Sequence, residues 1–229
     1  MEPKTTQIGL FEITYFCKEE LNILKQEIFK DQIYKIDLLS KKPHILDVGS
    51  HIGLSIIYFK SLYPNSTIIG FEPNPNVFPL LEENIFLNNI EDVELYNIAL
   101  GREEKVRELY IDSSGYGAFS TSSFYKNAWN GKQQTIPIQV SVKKLSHYIK
   151  GEIDLLKLDS EGAELEILEE LEDSKKIDNV KNIILEFHPT SRNKYQKIQT
   201  LLKQNNFQIE ERNKDEEGLI LVVGKKLTN

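Results

Sequence analysis

Residues 45–53 read ILDVGSHIG, and the chain continues as LSIIYF. An apolar run that enters an acidic residue, a turn with two glycines and a helical pattern is typical of a Rossmann-like strand, nucleotide-binding turn and helix. Glycine in such a turn lets the backbone approach a ligand closely. The residues predicted to contact a bound cofactor here are Asp47, Gly49, Ser50, His51 and Gly53.

A second apolar run, residues 67–71, leads directly into Glu72. An acid at the end of the second strand is placed to accept hydrogen bonds from the ribose hydroxyls of a nucleoside. We therefore predict that Glu72 binds ribose and that Asn74 helps to position ribose or adenine. Ile98, Ala99 and Leu100 are predicted to form an apolar wall beside the adenine ring, although ordinary core packing explains these three residues as well.

The glycine spacing favours one class of cofactor. A dinucleotide site requires Gly-x-Gly-x-x-Gly, so that the pyrophosphate lies on a helix N-terminus. Here the turn is Gly49-x-x-x-Gly53, and Asp47 would repel a phosphate. A carboxylate suits the sulfonium and α-amino groups of S-adenosylmethionine, which favours a methyltransferase over an NAD-dependent oxidoreductase. A third possibility is a unit that binds nothing, whose glycines only permit tight packing between strand and helix.

Three blocks resemble the FkbM-type S-adenosylmethionine-dependent methyltransferases. They are residues 46–53 (LDVGSHIG), residues 70–75 (GFEPNP) with 97–101 (NIALG), and residues 154–164 (DLLKLDSEGAE) with 184–189 (ILEFHP). His51 stands where this family usually has Asn. Both residue types are enriched at positive φ, so the exchange fits a turn position that requires it.

The alternation of strand and helix patterns predicts an α/β protein with a parallel sheet. With the resemblance, it predicts a Rossmann-like class I methyltransferase fold, whose mostly parallel seven-stranded sheet has helices on both faces and a C-terminal antiparallel hairpin. Residues 1–42 are predicted to form an N-terminal helical cap, with an amphipathic helix at 18–30, and residues 43–229 the S-adenosylmethionine-binding domain. The predicted strands and helices are strands 44–48, 67–72, 93–99, 154–158, 207–211 and 219–223, and helices 53–62 and 75–88.

Acidic residues and a histidine follow two of the predicted strands. Asp159 and Glu161 come after strand 154–158, and the run 184–189 contains Glu186 and His188. Open α/β sheets bind ligands at the carboxyl ends of their strands, and a hydroxyl acceptor needs a general base or a metal. By the resemblance, the predicted catalytic residues are Asp159, Glu161 and His188.

Structural roles compete with these assignments. Asp159 could be the N-cap of a helix at 161–171, and Glu164 and Glu166 could only complement the dipole of that helix. His188 could pack beneath a loop. A divalent metal held by Asp159, Glu161, Glu186 and His188 is possible but not favoured, because the chain has no compact metal-spacing motif.

Composition limits the partners and the compartment. The 28 Lys and Arg residues face 35 Asp and Glu residues, for a net charge of −7, which disfavours a nucleic-acid or anionic membrane surface. A lone cysteine, Cys17, and the lack of a signal-peptide pattern lead us to expect a cytoplasmic protein. We expect O-methylation of a small-molecule or glycan acceptor, at a hydroxyl of a sugar, glycan or secondary metabolite. The sequence leaves methylation of a nitrogen or a carboxylate as alternatives. The irregular, hydroxyl-rich stretch 113–135 is predicted to cover that substrate. A non-catalytic homologue that keeps the cofactor site is the remaining alternative.

Overall fold

The computed structural model describes residues 2–113, 122–126, 134–190, 194–214 and 219–227. Most of the predicted substrate loop, 113–135, lies outside these residues. Within them, the strands in chain order are β1 (Lys4–Ile8), β2 (Phe11–Tyr15), β3 (His44–Val48), β4 (Thr67–Phe71), β5 (Val93–Tyr96), β6 (Ala99–Leu100), β7 (Lys105–Asp112), β8 (Thr135–Lys143), β9 (Leu155–Leu158), β10 (Asn182–Phe187), β11 (Phe207–Lys214) and β12 (Ile220–Lys226). The α-helices are α1 (Lys18–Leu24), α2 (Leu54–Leu62), α3 (Phe78–Leu87), α4 (Glu164–Asp173) and α5 (Tyr195–Gln204).

Seven strands form the central sheet in the order β11-β12-β10-β9-β3-β4-β5. Strands β10, β9, β3, β4 and β5 pair in parallel, whereas β12 runs antiparallel to both β10 and β11. The predicted mostly parallel sheet with a closing antiparallel hairpin is confirmed. Because the order places β9 between β3 and β10, the carboxyl ends of these three strands meet at one edge of the sheet.

Alternating side chains along the strands build a core on each face of the sheet. On one face, Leu46 and Leu158 pack with residues of α4 and α5, such as Leu168 and Leu202. On the opposite face, Ile45 belongs to a cluster that includes residues of α1, α2 and α3. The sheet therefore has helices on both faces, as predicted.

Several predicted boundaries differ from the structure. The strand predicted at 93–99 ends at Tyr96, and Ala99–Leu100 belongs instead to a three-stranded sheet in the order β6-β8-β7. The chain turns at Asn97, whose amide donates a 2.8 Å hydrogen bond to the carbonyl of Glu72. The helix predicted at 18–30 is α-helical only to Leu24 and continues as the π-helix Lys25–Lys30.

The N-terminal segment, residues 1–42, is not purely helical. It contains the antiparallel hairpin β1–β2, which the sequence analysis missed. Asn84 of α3 holds the hairpin, because its side chain accepts a 2.7 Å hydrogen bond from the backbone N–H of Thr14 and donates one of 3.0 Å to the carbonyl of Thr14. Ile13 and Leu21 of this segment lie in the same hydrophobic cluster as α2. The division of the chain at residue 42 stays a prediction.

Across the described ranges, no helix combines the length and apolar character needed to cross a membrane.

Candidate active site

The turn after β3 is tied to the neighbouring strand ends. The backbone N–H groups of Gly49 and Ser50 both donate to the carbonyl of Phe71, at 2.9 and 3.0 Å. Gly49 has a φ of 78°, and a Cβ atom there would lie 1.8 Å from the carbonyl oxygen of Asp159. The turn pattern predicted that this glycine lets the backbone approach a ligand closely. In the structure, its close neighbour is the backbone at the end of β9.

His51 occupies the turn with a φ of 48°, so the predicted need for positive φ at this position is confirmed. Its backbone N–H donates a 2.9 Å hydrogen bond to Oε2 of Glu72. Its Nε2 lies 3.5 Å from Oε1 of Glu20, which belongs to α1. The turn therefore contacts both the second strand and the N-terminal segment. Gly53, with a φ of 91°, is the N-cap residue of α2.

Glu72 is buried at the end of β4, where the sequence analysis expected it. Besides the N–H of His51, its carboxylate accepts a 2.8 Å hydrogen bond from the N–H of Asn74. Burial raises the pKa of Glu72 above its ordinary value, against the opposing effect of His51. A carboxylate offers about four acceptor positions, so two backbone donors leave capacity for ribose hydroxyls. Asn74 is fully buried, and its side chain donates to Oγ of Ser122 at 3.4 Å.

A cleft opens between this turn, β6 and the end of β9. Its volume is about 860 Å³ including the open mouth. The predicted cofactor residues in its wall are Gly49, Ser50, His51, Glu72, Ile98, Ala99 and Leu100. Leu100 and Ala99 also belong to hydrophobic clusters, so the wall and the core explanations both hold. The other three predicted cofactor residues do not line the cleft and lie behind the residues that do: Asp47, Gly53 and Asn74.

Asp47 faces a buried lysine that the sequence analysis did not single out. The Nζ atom of Lys157 lies 3.3 Å from Oδ1 of Asp47 and 3.4 Å from Oδ2 of Asp159, and it donates a 2.9 Å hydrogen bond to the carbonyl of Gly49. Oδ2 of Asp47 accepts a 2.6 Å hydrogen bond from Ser55. Burial lowers the pKa of the ammonium, but Asp47 and Asp159 outweigh burial and raise the pKa above its usual value. A lysine inside the apolar run 155–158 was the available signal.

The predicted catalytic residues come together at the ends of β9 and β10. Nε2 of His188 lies 3.3 Å from Oε2 of Glu161 and 4.0 Å from Oδ1 of Asp159. Glu161 has a φ of 54°, a conformation that is costly for a side chain of this type and is concentrated at functional sites. The strained turn directs the Glu161 carboxylate toward His188.

The two acidic residues in the first turn of α4 have different partners: Glu164 contacts His188, and Glu166 pairs with Arg107. Oε1 of Glu164 accepts hydrogen bonds of 3.0 Å from the N–H groups of Ser160 and Gly162 and lies 3.3 Å from Nδ1 of His188. Helix α4 begins at Glu164 with Ala163 as its N-cap, so Asp159 is not the N-cap that the sequence analysis considered. Glu166 lies in the first turn of α4, where the predicted interaction with the helix dipole would act, and it also pairs with Arg107 at 2.9 Å.

The charge state of this cluster follows from its burial. Burial lowers the pKa of the His188 imidazole, but Glu161 and Glu164 outweigh it and raise the pKa well above the ordinary value. Burial also raises the pKa of Glu161 well above that of an ordinary carboxyl, and the imidazolium of His188 only partly offsets this. Glu186, half-buried near Asp159, has a pKa raised to about 7. The cluster thus holds protons near neutral pH.

The metal alternative can be tested against this geometry. Asp159, Glu161 and His188 each offer one ligand atom, and these atoms all lie within 4.8 Å of one another. However, each ring nitrogen of His188 faces a carboxylate, and the raised pKa favours an imidazolium. A metal-bound imidazole must be deprotonated at its ligating nitrogen. As arranged, the three residues fit a shared proton better than a metal ion.

The chain is similar in sequence to known methyltransferases. A family model described as the methyltransferase FkbM domain matches residues 47–209, which include Glu72, Asp159, Glu161 and His188. Methyltransferase 1 of Beauveria bassiana (strain ARSEF 2860) is 31% identical over 210 residues, covering 84% of this chain and 83% of that protein. Methyltransferase sdnD of Sordaria araneosa is 31% identical over 226 residues, covering 86% of this chain and 86% of that protein.

A solved structure shows the same fold. Methyltransferase FkbM from Methylobacillus flagellatus KT superposes with a TM-score of 0.57 at 13% sequence identity, covering 86% of this chain and 46% of that chain. This chain thus spans about half of that protein. The likeness confirms the predicted Rossmann-like class I methyltransferase fold.

Proposed function

The chain belongs to the FkbM methyltransferase family, and we propose that it transfers the methyl group of S-adenosylmethionine to a hydroxyl of a sugar, glycan or secondary metabolite. The observation that carries the proposal is the Glu161–His188 pair beside the cofactor cleft, with Nε2 and Oε2 3.3 Å apart. A hydroxyl is a poor nucleophile until a base removes its proton. This pair supplies a base where the acceptor and the cofactor would meet.

The cleft fits S-adenosylmethionine by the chemistry of its wall. Glu72 has free acceptor positions for ribose hydroxyls, and Ile98 and Leu100 offer apolar contact to an adenine ring. At the other end of the cleft, the carboxylates of Asp159 and Glu161 favour the positive charge of a sulfonium. An NAD pyrophosphate would meet these same carboxylates and be repelled. The alternative of an NAD-dependent oxidoreductase is therefore disfavoured by charge as well as by the glycine spacing.

When bound, S-adenosylmethionine would supply a methyl carbon activated by the sulfonium; transfer would break the S–C bond, form the O–C bond and release S-adenosylhomocysteine. The proton of the acceptor hydroxyl passes to Glu161. General-base catalysis is most effective when the pKa of the base lies near the working pH. Burial moves the pKa of Glu161 in that direction. The imidazolium of His188 fixes the carboxylate, and Asp159 lies 4.0 Å from Nε2 of the same ring.

The charge of the cluster also limits the acceptor. Carboxylates of Asp159, Glu161, Glu164 and Glu186 surround His188, and Lys157 is already paired with Asp47. A phosphate or carboxylate on the acceptor would be repelled here, whereas a neutral hydroxyl would not. This supports a sugar or metabolite hydroxyl and disfavours a nucleic-acid acceptor.

Calorimetric titration with S-adenosylhomocysteine, with NAD as the parallel ligand, tests the cofactor. We expect saturable one-site binding of the first and none of the second, and the reverse result would overturn the proposal. Glu72→Gln should weaken S-adenosylhomocysteine binding by about tenfold or more, because a hydrogen bond to a charged group is worth about 1.5–3 kcal/mol. Glu94→Gln is the matched control, since Glu94 lies on the neighbouring strand β5 and bonds only the hydroxyl of Tyr96 among the described contacts.

Incubation with S-adenosylmethionine and a panel of neutral glycosides and polyols tests the reaction, with mass spectrometry detecting the added methyl group. For an acceptor that is turned over, Glu161→Gln should lower the rate by about 10²–10⁴-fold and leave S-adenosylhomocysteine binding intact. Unchanged turnover in Glu161→Gln would contradict the assigned base. Equal turnover of phosphorylated and neutral forms of that acceptor would contradict the charge argument.

A further inference from the structure

Tyr34 is a residue of the N-terminal segment that reaches the catalytic edge of the sheet. Its side chain is buried, it lies in the wall of the cofactor cleft, and its hydroxyl donates a short hydrogen bond to Oε1 of Glu186. The centroid of its ring lies 5.3 Å from Nζ of Lys157. The ring also packs against Phe59 of α2, with centroids 6.2 Å apart. No motif in the sequence marks this tyrosine.

We propose that Tyr34 is a positioning residue of the active site, whose hydroxyl holds the Glu186 carboxylate in place beside Asp159. The inference rests on the proposed methyl transfer. It means that residues 1–42 supply part of the reaction centre as well as covering the domain. The contact links residues that are 152 positions apart in the sequence.

The groups that face Glu186 show what this hydrogen bond does. Burial and the charge of Asp159 favour the protonated form of Glu186, whereas His188, Lys157 and the Tyr34 hydroxyl favour the carboxylate. These effects place its pKa at about 7. Removing a hydrogen bond to a charged group should raise that pKa by about one unit. Tyr34 thus increases the ionised fraction of Glu186 at neutral pH, which adds negative potential beside the sulfonium and the His188 imidazolium.

Tyr34→Phe removes the hydroxyl and keeps the ring, and Tyr63→Phe is the matched control. The Tyr63 hydroxyl also makes a short hydrogen bond next to the N-terminal segment, but to the backbone carbonyl of Ile36. Thermal denaturation of the full chain without ligand, from about pH 5.5 to 8.5, compares the two variants. Both should fold, since each change deletes one oxygen atom.

The sign of the pH effect follows from linkage. The folded pKa of Glu186, about 7, lies above the ordinary value of about 4.3, so the stability from its bound proton is present below that ordinary value and is lost as the pH rises through the folded pKa. In Tyr34→Phe the loss should continue about one pH unit higher. The Tm deficit of Tyr34→Phe should therefore grow above pH 7, while that of Tyr63→Phe stays constant. In a Glu186→Gln background, the pH dependence of the Tyr34→Phe deficit should disappear.

Calorimetry with S-adenosylmethionine and S-adenosylhomocysteine connects the contact to the reaction centre. In buffers of different ionisation enthalpy near pH 7, only the sulfonium cofactor should expel a proton from the Glu186 site. Tyr34→Phe should move the pH of maximal proton release upward by about one unit. If S-adenosylhomocysteine binds and the Tyr34→Phe deficit shows no pH dependence, the role of Tyr34 is wrong and the methyltransferase proposal stands. If neither cofactor binds the wild-type chain, both proposals are overturned.

Discussion

Gly49→Ala tests whether the turn after β3 and the end of β9 are held together by close backbone contact. An alanine Cβ at this position would lie 1.8 Å from the Asp159 carbonyl oxygen, at a φ of 78°. A left-handed conformation costs an L-residue about 1–2 kcal/mol, and overpacking adds about 1–3 kcal/mol. The atom in the way is backbone, so the ends of β3 and β9 must separate. We expect Gly49→Ala to lower the free energy of unfolding by about 2–5 kcal/mol.

Two other glycines separate the two costs. Gly9 has a φ of 60° and nothing within 4 Å of the place where a Cβ atom would lie, so Gly9→Ala should show only the conformational cost of about 1–2 kcal/mol. Gly151 also has open space at its Cβ position and no positive φ, so Gly151→Ala should be nearly neutral or slightly stabilising. Urea denaturation of the three variants measures the series, and S-adenosylhomocysteine calorimetry shows whether the turn still binds. A Gly49→Ala variant no less stable than Gly9→Ala, with binding intact, would refute the reasoning.

Two further predictions concern the buried charges. Lys157→Met leaves Asp47 without its cation and should cost about 3–5 kcal/mol of unfolding free energy, whereas Lys157→Met with Asp47→Asn should recover part of that loss. Urea denaturation measures this cycle, and strict additivity would contradict the pairing. His188→Gln should lower Tm most at about pH 6 and less at alkaline pH, because stability from a raised histidine pKa is present below the unfolded value of about 6.5 and is lost as the pH rises through the folded pKa. A Tm deficit that widens with pH would contradict the raised pKa.

The fold was predicted well because the strand and helix patterns are periodic and because three sequence blocks resemble the FkbM-type methyltransferases. Strand and helix patterns alternate from residue 44 onward, and the carboxyl ends of parallel strands must meet at one edge of the sheet. Together with the resemblance to the FkbM-type family, that rule predicted Asp159 and Glu161 near His188, and β9 does pair with β10. Positive φ at His51 was also predictable, because the turn needs it whatever side chain is present.

The remaining parts depend on contacts that no local pattern encodes. The hairpin β1–β2 is short and is held by Asn84, which lies 70 residues away in the sequence. Tyr34 reads as an apolar residue between two elements, and only the folded chain shows its hydrogen bond to Glu186. Lys157 was visible as a charge in an apolar strand. Its partners were not, because Asp47 and Gly49 lie on another strand and its turn.

These contacts link the turn after β3 directly to the end of β9. The carbonyl of Gly49 accepts a hydrogen bond from Lys157, and the Lys157 ammonium also lies 3.4 Å from Asp159. The backbone N–H of Asp159 in turn donates a 3.2 Å hydrogen bond to the carbonyl of Val48. If a bound cofactor displaced the turn, we would therefore expect the carboxylates proposed to face the acceptor to move with it. Methyl transfer requires the methyl carbon and the acceptor oxygen to be aligned. Hydrogen bonds between the two strand ends would keep the proposed cofactor and acceptor sites in a fixed relative position.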